Sequence, residues 1–193
     1  MQELDIDSSL KIEGSHIGSV YGNISGLRYS GINYHTAEIR NIEIDSKKEL
    51  IQINEVNITP RLGKYEFQRK LGHQADWMQA HISRIEIKRP DFDKLLHQKL
   101  FMDKISIGES KVYIFRDRRL PRSQKNIPLP VDIIKTFPVD IRIHSCELAT
   151  SDVAYEEYPE AGYGMTGILK IERIKLSTFS LINHPLPSDL AVI

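Results

Sequence analysis

The strongest constraint on the fold is a short apolar pattern that recurs along the chain with one break in its alternation. Apolar and polar residues alternate over much of the sequence, and this spacing places alternate side chains on one face of a β-strand. Within the alternation a six-residue unit recurs, in which two polar residues separate one apolar residue from an apolar-polar-apolar triplet. The unit occurs at 39–44, 53–58, 82–87 and 171–176, and in a weaker form at 143–148.

Each copy of this unit contains one residue more than strict alternation allows. A regular strand with that extra residue would turn its later side chains to the other face of the sheet. A bulge or bend absorbs the extra residue and also coils the sheet. The sequence therefore predicts a mainly β fold, an antiparallel meander of short strands that forms a coiled open sheet or groove.

Two segments have helical rather than strand spacing. Residues 66–79 carry apolar side chains at helical intervals and predict a short helix with Trp77 on its flank. Residues 92–100 predict a second one, with Asp91 or Asp93 as the N-cap. The charged, proline-rich stretch 116–138 predicts a long crossing loop. Alternation resumes directly after it, so residues 1–193 are expected to form a single β segment without an internal boundary.

Composition excludes several classes of function. The 26 basic and 26 acidic residues cancel, so no net charge attracts the chain to nucleic acid.

The single cysteine, Cys146, lies in an apolar run and is expected to be a small hydrophobic residue on a strand rather than a nucleophile. The seven histidines lack metal-ligand spacing, so no metal and no cofactor are expected. The acidic residues Glu156, Glu157 and Glu160 are interpreted as solvated side chains at the end of a strand. We therefore expect a protein that is not an enzyme.

The densest charged cluster consists of Arg116, Asp117, Arg118 and Arg119. It could bind a phosphate or a lipid headgroup. It could also anchor the loop that leaves the sheet, because Asp117 can neutralise a neighbouring guanidinium group. Anchoring is the preferred interpretation.

The apolar positions of the repeated unit are the candidate binding residues. Pairs two residues apart share one face of a strand, so strands in register would join these pairs into an apolar stripe. The stripe would either line an open groove for acyl chains or form the core of an ordinary β-sandwich. The candidate groove-lining residues are Ile42, Ile44, Val56, Ile58, Ile85, Ile87, Ile174 and Leu176.

A series of short segments, in this order, resembles a known family. The main ones are RDRRLP at 116–121, VDIRI at 139–143, VAYEE at 153–157, GILKI at 167–171 and LIN at 181–183. Further matches are YEF at 65–67, the Asp76-Trp77 pair and DFD at 91–93. The succession resembles the large AsmA-like envelope proteins, particularly those of the Bacteroidetes type, over roughly residues 35–184.

This resemblance implies a coiled antiparallel sheet with an apolar inner face and a wet outer face. It implies a non-enzymatic periplasmic module that shields phospholipid acyl chains for lipid transport or outer-membrane assembly, with neighbouring β-segments of the full-length protein as further partners. The family has an N-terminal membrane helix and a greater length. We therefore expect an internal segment, anchored to the inner membrane by a part of the protein outside this chain. Two alternatives stay open: a β-rich scaffold or adhesion module that binds proteins, and an enzyme with dispersed His and Glu residues.

Overall fold

The computed structural model describes residues 4–7, 21–32, 34–97, 99–122, 139–161 and 164–183. Within these ranges the chain forms ten β-strands and two short helices, which confirms the predicted mainly β fold. The strands are β1 (Leu4–Asp7), β2 (Tyr21–Ile32), β3 (His35–Asp45), β4 (Leu50–Pro60), β5 (Trp77–Ile82), β6 (Ile85–Pro90), β7 (Lys99–Ile107), β8 (Ser110–Asp117), β9 (Asp140–Tyr158) and β10 (Gly167–Ile182). The helices are α1 (Lys64–Leu71) and α2 (Phe92–Leu96).

Two pairs of consecutive strands are each one long strand with a bend. Strands β5 and β6 pair with β4 in a single register, in which Ala80 faces Ile58 and Ile85 faces Ile53. Strands β7 and β8 pair with β9 in the same way. When each bent pair is counted once, the strands follow one another across the sheet in chain order, as a meander requires.

One step of the sheet differs from the predicted antiparallel meander. Strand β9 runs parallel to both β7 and β8, whereas all other neighbours are antiparallel. Because β9 is parallel to β7 and β8, the chain that leaves β8 must return to the end of the sheet at which β7 begins before β9 can start. The crossing loop predicted at 116–138 falls in this connection, and its residues 123–138 lie outside the described part of the chain.

The breaks in the repeated unit lie on or near one line across the sheet, which we call the first crease. On β3 the break lies at Asn41, whose φ of 52° is in the left-handed region. In the strand register Asn41 lies opposite Asn54 on β4, and Asn54 lies opposite Arg84, between β5 and β6. The Arg84 carbonyl in turn accepts a hydrogen bond from Gly108 N at 2.7 Å. On β10 the break is offset from this line by about two residues: Arg173, with a φ of 56° and a register shift beside it, lies opposite Asp152. The predicted bend is therefore confirmed.

Gly108 shows how closely the strands approach at the first crease. A Cβ atom at this position would lie 2.8 Å from Ser83 Oγ and 3.1 Å from the Arg84 carbonyl oxygen. A side chain here would require the Ser83 hydroxyl to rotate and the Arg84 backbone to move slightly, so the close approach of the strands at the crease favours glycine.

The weaker copy of the unit at 143–148 belongs to a second crease. This line joins Glu49 and Arg89, which have φ values of 50° and 48°, to His144 and then to Ser180, with a φ of 60°. Arg89 N donates to the Glu49 carbonyl at 2.8 Å across it. At both creases the irregular residues absorb the extra position, so the apolar side chains return to the same face. We call this side of the sheet the apolar face and the opposite side the polar face.

Helix α1 covers one end of the polar face. Its Phe67 packs on Trp77 and Phe115, and these three residues form a buried aromatic cluster. The helix ends at Gly72, with a φ of 70°. The prediction of a helix over 66–79 is therefore wrong beyond Gly72, because Trp77 begins β5 and packs on the helix from the sheet.

Helix α2 lies beside β7. Its N-cap is Asp91, whose carboxylate accepts a hydrogen bond from Lys94 N at 2.9 Å. This confirms one of the two capping residues proposed from the sequence.

Candidate functional site

The apolar face is built from continuous rows of side chains that cross the sheet. Cross-strand partners lie on the same face, so the register alone defines each row. Two rows lie between the creases. The first contains Ile24, Ile42, Ile53, Ile85, Ile107, Leu148 and Leu176, and the second contains Ile44, Ile51, Ile87, Ile105, Cys146 and Thr178.

Further apolar rows lie on the other side of the first crease. Ile39, Val56 and Ile82 form the nearest row, and Ala37, Ile58, Ala80, Val112, Val153 and Ile171 form the next one. Ile174 faces Ser151 at the crease. All eight residues that were predicted to line a groove therefore lie on the apolar face, and their role in binding stays a prediction.

Two serines lie within the apolar face at the first crease. Ser110 and Ser151 are paired across β8 and β9, and both are buried. Each hydroxyl donates a hydrogen bond to the carbonyl two residues earlier, Ser110 to Gly108 at 3.1 Å and Ser151 to Ala149 at 3.2 Å. Because these hydroxyls already have acceptors, they do not need water on the face.

Most side chains of the apolar face are half-buried rather than buried. The buried residues on this face include Ile42, Ile51, Ala80, Ile143 and the two serines. Of the two described helices, α1 packs on the polar face and the five-residue α2 makes its main contacts with β7, so neither spans the apolar face. A sealed sandwich would bury the inward side chains almost completely. The described part of the chain therefore presents an open apolar face.

The size of this face distinguishes it from ordinary surface hydrophobicity. At ~4.8 Å between strands and ~3.3 Å per residue, the area from β2 to β10 and from Met102 to Ile114 measures roughly 29 by 40 Å. That is on the order of 1,100 Å², whereas the largest apolar patch of a typical soluble monomer covers about 300–600 Å². A patch of this size indicates an interaction surface.

Ion pairs border the apolar face at the end near α1. Arg116 follows Ile114 by two residues on β8 and so lies on this face. Its Nε and Nη2 donate to both carboxylate oxygens of Asp76, at 2.8 and 2.7 Å. These hydrogen bonds raise the pKa of Arg116. Arg118 Nη1 donates to Glu157 Oε1 at 3.0 Å.

Asp117 and Arg119 form the third ion pair of the predicted charged cluster. The carboxylate of Asp117 is buried and accepts hydrogen bonds from Arg119 Nε at 2.8 Å, Nη2 at 2.6 Å and backbone N at 3.1 Å. The side-chain bonds from Arg119 hold the pKa of Asp117 below its ordinary value. Arg116, Arg118 and Arg119 are therefore each paired with a carboxylate. This geometry favours loop anchoring over a headgroup site.

A second charged cluster, beneath α1, was not predicted. Lys64 Nζ lies 2.5 Å from Glu156 Oε2 and 3.3 Å from the Tyr113 hydroxyl, which also hydrogen-bonds to Glu156. Burial alone would raise the pKa of Glu156, but hydrogen bonds from Lys64, Tyr113 and Thr166 outweigh it and lower the pKa. Glu156 was expected to be a solvated strand-end acid and is instead 4% exposed. No local signal identifies it, because Lys64 is distant in sequence.

The polar face carries an open cavity of about 490 Å³ between α1 and the first crease. Side chains from five strands line it, among them His81, Lys111, Asp152 and Glu172, and these four are not buried. Within the described ranges, no three His, Cys, Asp or Glu side chains converge in an arrangement that could hold a metal ion. The cavity therefore has the mixed charge of a solvated sheet surface.

Cys146 lies in the middle of the apolar face, between Ile105 on β7 and Thr178 on β10. Burial raises the pKa of its thiol, and the nearby Glu147 adds to this effect. A raised pKa disfavours the reactive thiolate. The position fits the predicted small hydrophobic residue on a strand.

Comparison with known proteins identifies no relative: no protein-family profile, curated protein or solved structure matches this chain. The resemblance to AsmA-like envelope proteins therefore stays a prediction from the sequence. No helix in the described ranges is long and apolar enough to cross a bilayer.

Proposed function

We propose that this chain is a non-enzymatic module of a cell-envelope protein, whose apolar face shields phospholipid acyl chains during lipid transport or outer-membrane assembly. The observation that carries the proposal is the continuous, half-exposed apolar face that spans the sheet from β2 to β10. The sequence resemblance adds the cellular setting: a periplasmic location, an inner-membrane anchor elsewhere in the protein, and neighbouring β-segments as partners.

The mechanism would be passive partition of acyl chains from water onto the apolar face. Burial of a methylene group is worth roughly 0.8 kcal/mol. A chain of about 16 carbons with half of its surface covered would then gain on the order of 6 kcal/mol. Lipid headgroups would stay in water beyond the face, since the arginines at its border are already paired with carboxylates. The absence of net charge gives no reason to expect nucleic acid as a partner.

A matched pair of variants tests the proposal. Ile87→Asp places a carboxylate in the middle of the apolar face, whereas Ser106→Asp places one on the polar face of the neighbouring strand. Thermal melting is measured for the wild type and both variants. Separate folded samples of each protein are then exposed to phospholipid vesicles that contain a photoreactive acyl chain. An environment-sensitive label on Cys146 gives a second readout, because Cys146 lies two strands from Ile87 in the same row.

We expect Ile87→Asp to remain folded and to lose both crosslinking and the label's response. Ser106→Asp should keep the folding, the lipid crosslinking and the label response of the wild type. If the face were a closed core, the buried carboxylate of Ile87→Asp would cost several kcal/mol and unfold the protein. Unfolding of this variant, together with a wild type that captures no lipid, would refute the proposal and favour a β-rich scaffold that binds proteins.

A further inference from the structure

The connection between β8 and β9 has to cross the whole length of the sheet. Strand β8 ends beside α1, whereas β9, which is parallel to it, begins at the opposite end of the sheet. Gln74 N donates to the Pro121 carbonyl at 2.8 Å, where the chain has left β8. Asn183 Nδ2 donates to the Val139 carbonyl at 2.6 Å, directly before β9. The connection is therefore anchored to the fold at both ends of the sheet.

The handedness of this connection decides which face of the sheet it crosses. Connections between parallel strands of one sheet are right-handed in about 98% of cases. A right-handed connection passes over the face from which β9 lies to the right of β8 when β8 points upward. The face that meets this condition can be identified from the backbone of β8.

Arg118, directly after β8, identifies the face. Its N–H donates to the Tyr158 carbonyl of β9 at 2.9 Å, and its side chain lies on the apolar face, as that of Arg116 does two residues earlier. In an upward strand of L-residues, the N–H and C=O of a residue whose side chain points at the viewer are directed to the right. Viewed from the apolar face, β9 therefore lies to the right of β8, and a right-handed connection crosses this face.

The length of the connection leaves little slack. From Arg122 to Val139 the chain can reach at most roughly 56–61 Å, at ~3.3–3.6 Å per residue. Strand β9, with 19 residues, covers the same distance along the sheet, on the order of 59 Å before the shortening by the two bends. The connection can therefore bridge its anchors only as an extended chain that stays close to the sheet.

The sequence of the connection suits an extended segment with one apolar side. Four apolar residues alternate with Pro128, Pro130 and Asp132; they are Ile127, Leu129, Val131 and Ile133. In an extended chain these four side chains point to one side. The prolines favour an extended conformation, and because they lack an N–H they disfavour incorporation as another hydrogen-bonded strand. Residues 127–133 can therefore offer four apolar side chains to a surface without joining the sheet.

We propose that residues 127–133, outside the described part of the chain, occupy the apolar face above β7, β8 and β9, with their four apolar side chains on the sheet. The segment would run antiparallel to β9. Ile133 would lie level with Cys146, because Ile133 is six residues before Val139 and Cys146 is six residues after Asp140. An extended chain with its side chains is about 10 Å across, so the apolar face from β2 to β6 would stay open to acyl chains. The inference does not depend on lipid binding, since it follows from the route of the connection.

A crosslinking experiment without lipid tests the route. Ile133→Cys is combined with the native Cys146 and treated with a short bismaleimide, and crosslinked peptides from the monomer are quantified by mass spectrometry. The matched control carries Ile133→Cys, Cys146→Ser and Glu147→Cys, which moves the second thiol to the polar face at the same level of β9. The Glu147 side chain is 52% exposed and Cys146 is only half-exposed, so accessibility alone would favour the control. We expect crosslinking to Cys146 to be at least tenfold more efficient.

Two further variants test the apolar contact in the Ile133→Cys protein. Leu129→Asp places a carboxylate among the four apolar side chains and should reduce crosslinking to Cys146 at least tenfold. Asn126→Asp places one on the alternate side of the segment and should leave crosslinking unchanged. Preferred crosslinking to position 147, crosslinking to neither position, or equal losses in the two Asp variants would overturn the proposal. Lipid capture is measured separately, so its failure would refute the proposed function and leave this inference standing.

Discussion

The ion pair beneath α1 provides a sharp test of how the helix is held on the sheet. Lys64 is the first residue of α1, and its ammonium group bonds to Glu156 on β9 and Tyr113 on β8. The Glu156 side chain is 6% exposed and that of Lys64 is 28% exposed. Lys64→Met would leave a nearly buried carboxylate without its counter-charge.

The expected cost follows from that burial. Loss of one partner of a fully buried pair costs about 3–5 kcal/mol, and exposed pairs contribute about 0.2–1 kcal/mol. Because Lys64 reaches solvent, we expect Lys64→Met to lower the free energy of unfolding by roughly 1–3 kcal/mol. In a protein of this size that corresponds to a decrease in Tm of about 2–10 °C. Glu156→Gln should cost less, since the amide can still accept hydrogen bonds.

The effect of pH checks the same contact independently. The pKa of Glu156 is lowered in the fold, so its stabilising contribution is complete above the unfolded value near 4.5 and decreases as the pH falls through the folded pKa. The Tm difference between wild type and Glu156→Gln should therefore be largest near pH 7 and shrink below about pH 4.5. A double-mutant cycle should give a coupling of about 1 kcal/mol or more. Additive single variants and a difference that does not change with pH would refute this account.

Two further predictions concern the crease and the charged cluster. Arg173→Gly should raise the free energy of unfolding by about 1 kcal/mol, because the φ of 56° at this position is costly for any residue with a Cβ atom. Arg173→Val should lower the free energy of unfolding, and urea denaturation measures both variants. Asp117→Ala should lower stability by roughly 1–3 kcal/mol and leave lipid association unchanged, whereas unchanged melting with lost lipid capture would show that the cluster binds headgroups.

Much of the architecture could be predicted because its signal is local. Alternation of apolar and polar residues indicated strands, and the extra residue in units such as 39–44 indicated a bend. The structure places left-handed residues at two of these breaks, Asn41 and Arg173. Capping by Asp91 was also predictable, since it depends only on the residues that follow it.

Other features depend on contacts between distant parts of the chain. The alignment of the breaks into creases could not be predicted, because it requires the register of every strand. The parallel step at β9 depends on how the preceding connection returns. Burial of Glu156 depends on α1, which begins far away in the sequence. Apolar spacing also extended the predicted helix past Gly72, although the chain reverses there and Trp77 packs on the helix from the sheet.

The creases explain how a bent sheet keeps one apolar face, and deletion of Asn41 tests that explanation. Without the extra residue, Ile42 and Ile44 would turn to the polar face or β3 would lose its register with β4. Full burial of an isoleucine side chain is worth about 1.5–3 kcal/mol. Because Ile42 is buried and Ile44 is half-buried, the deletion should cost roughly 2–4 kcal/mol by urea denaturation. Deletion of the exposed Lys47 from the turn after β3 is the control and should cost much less. Equal losses for the two deletions would mean that the left-handed residue at position 41 does not set the face of the strand.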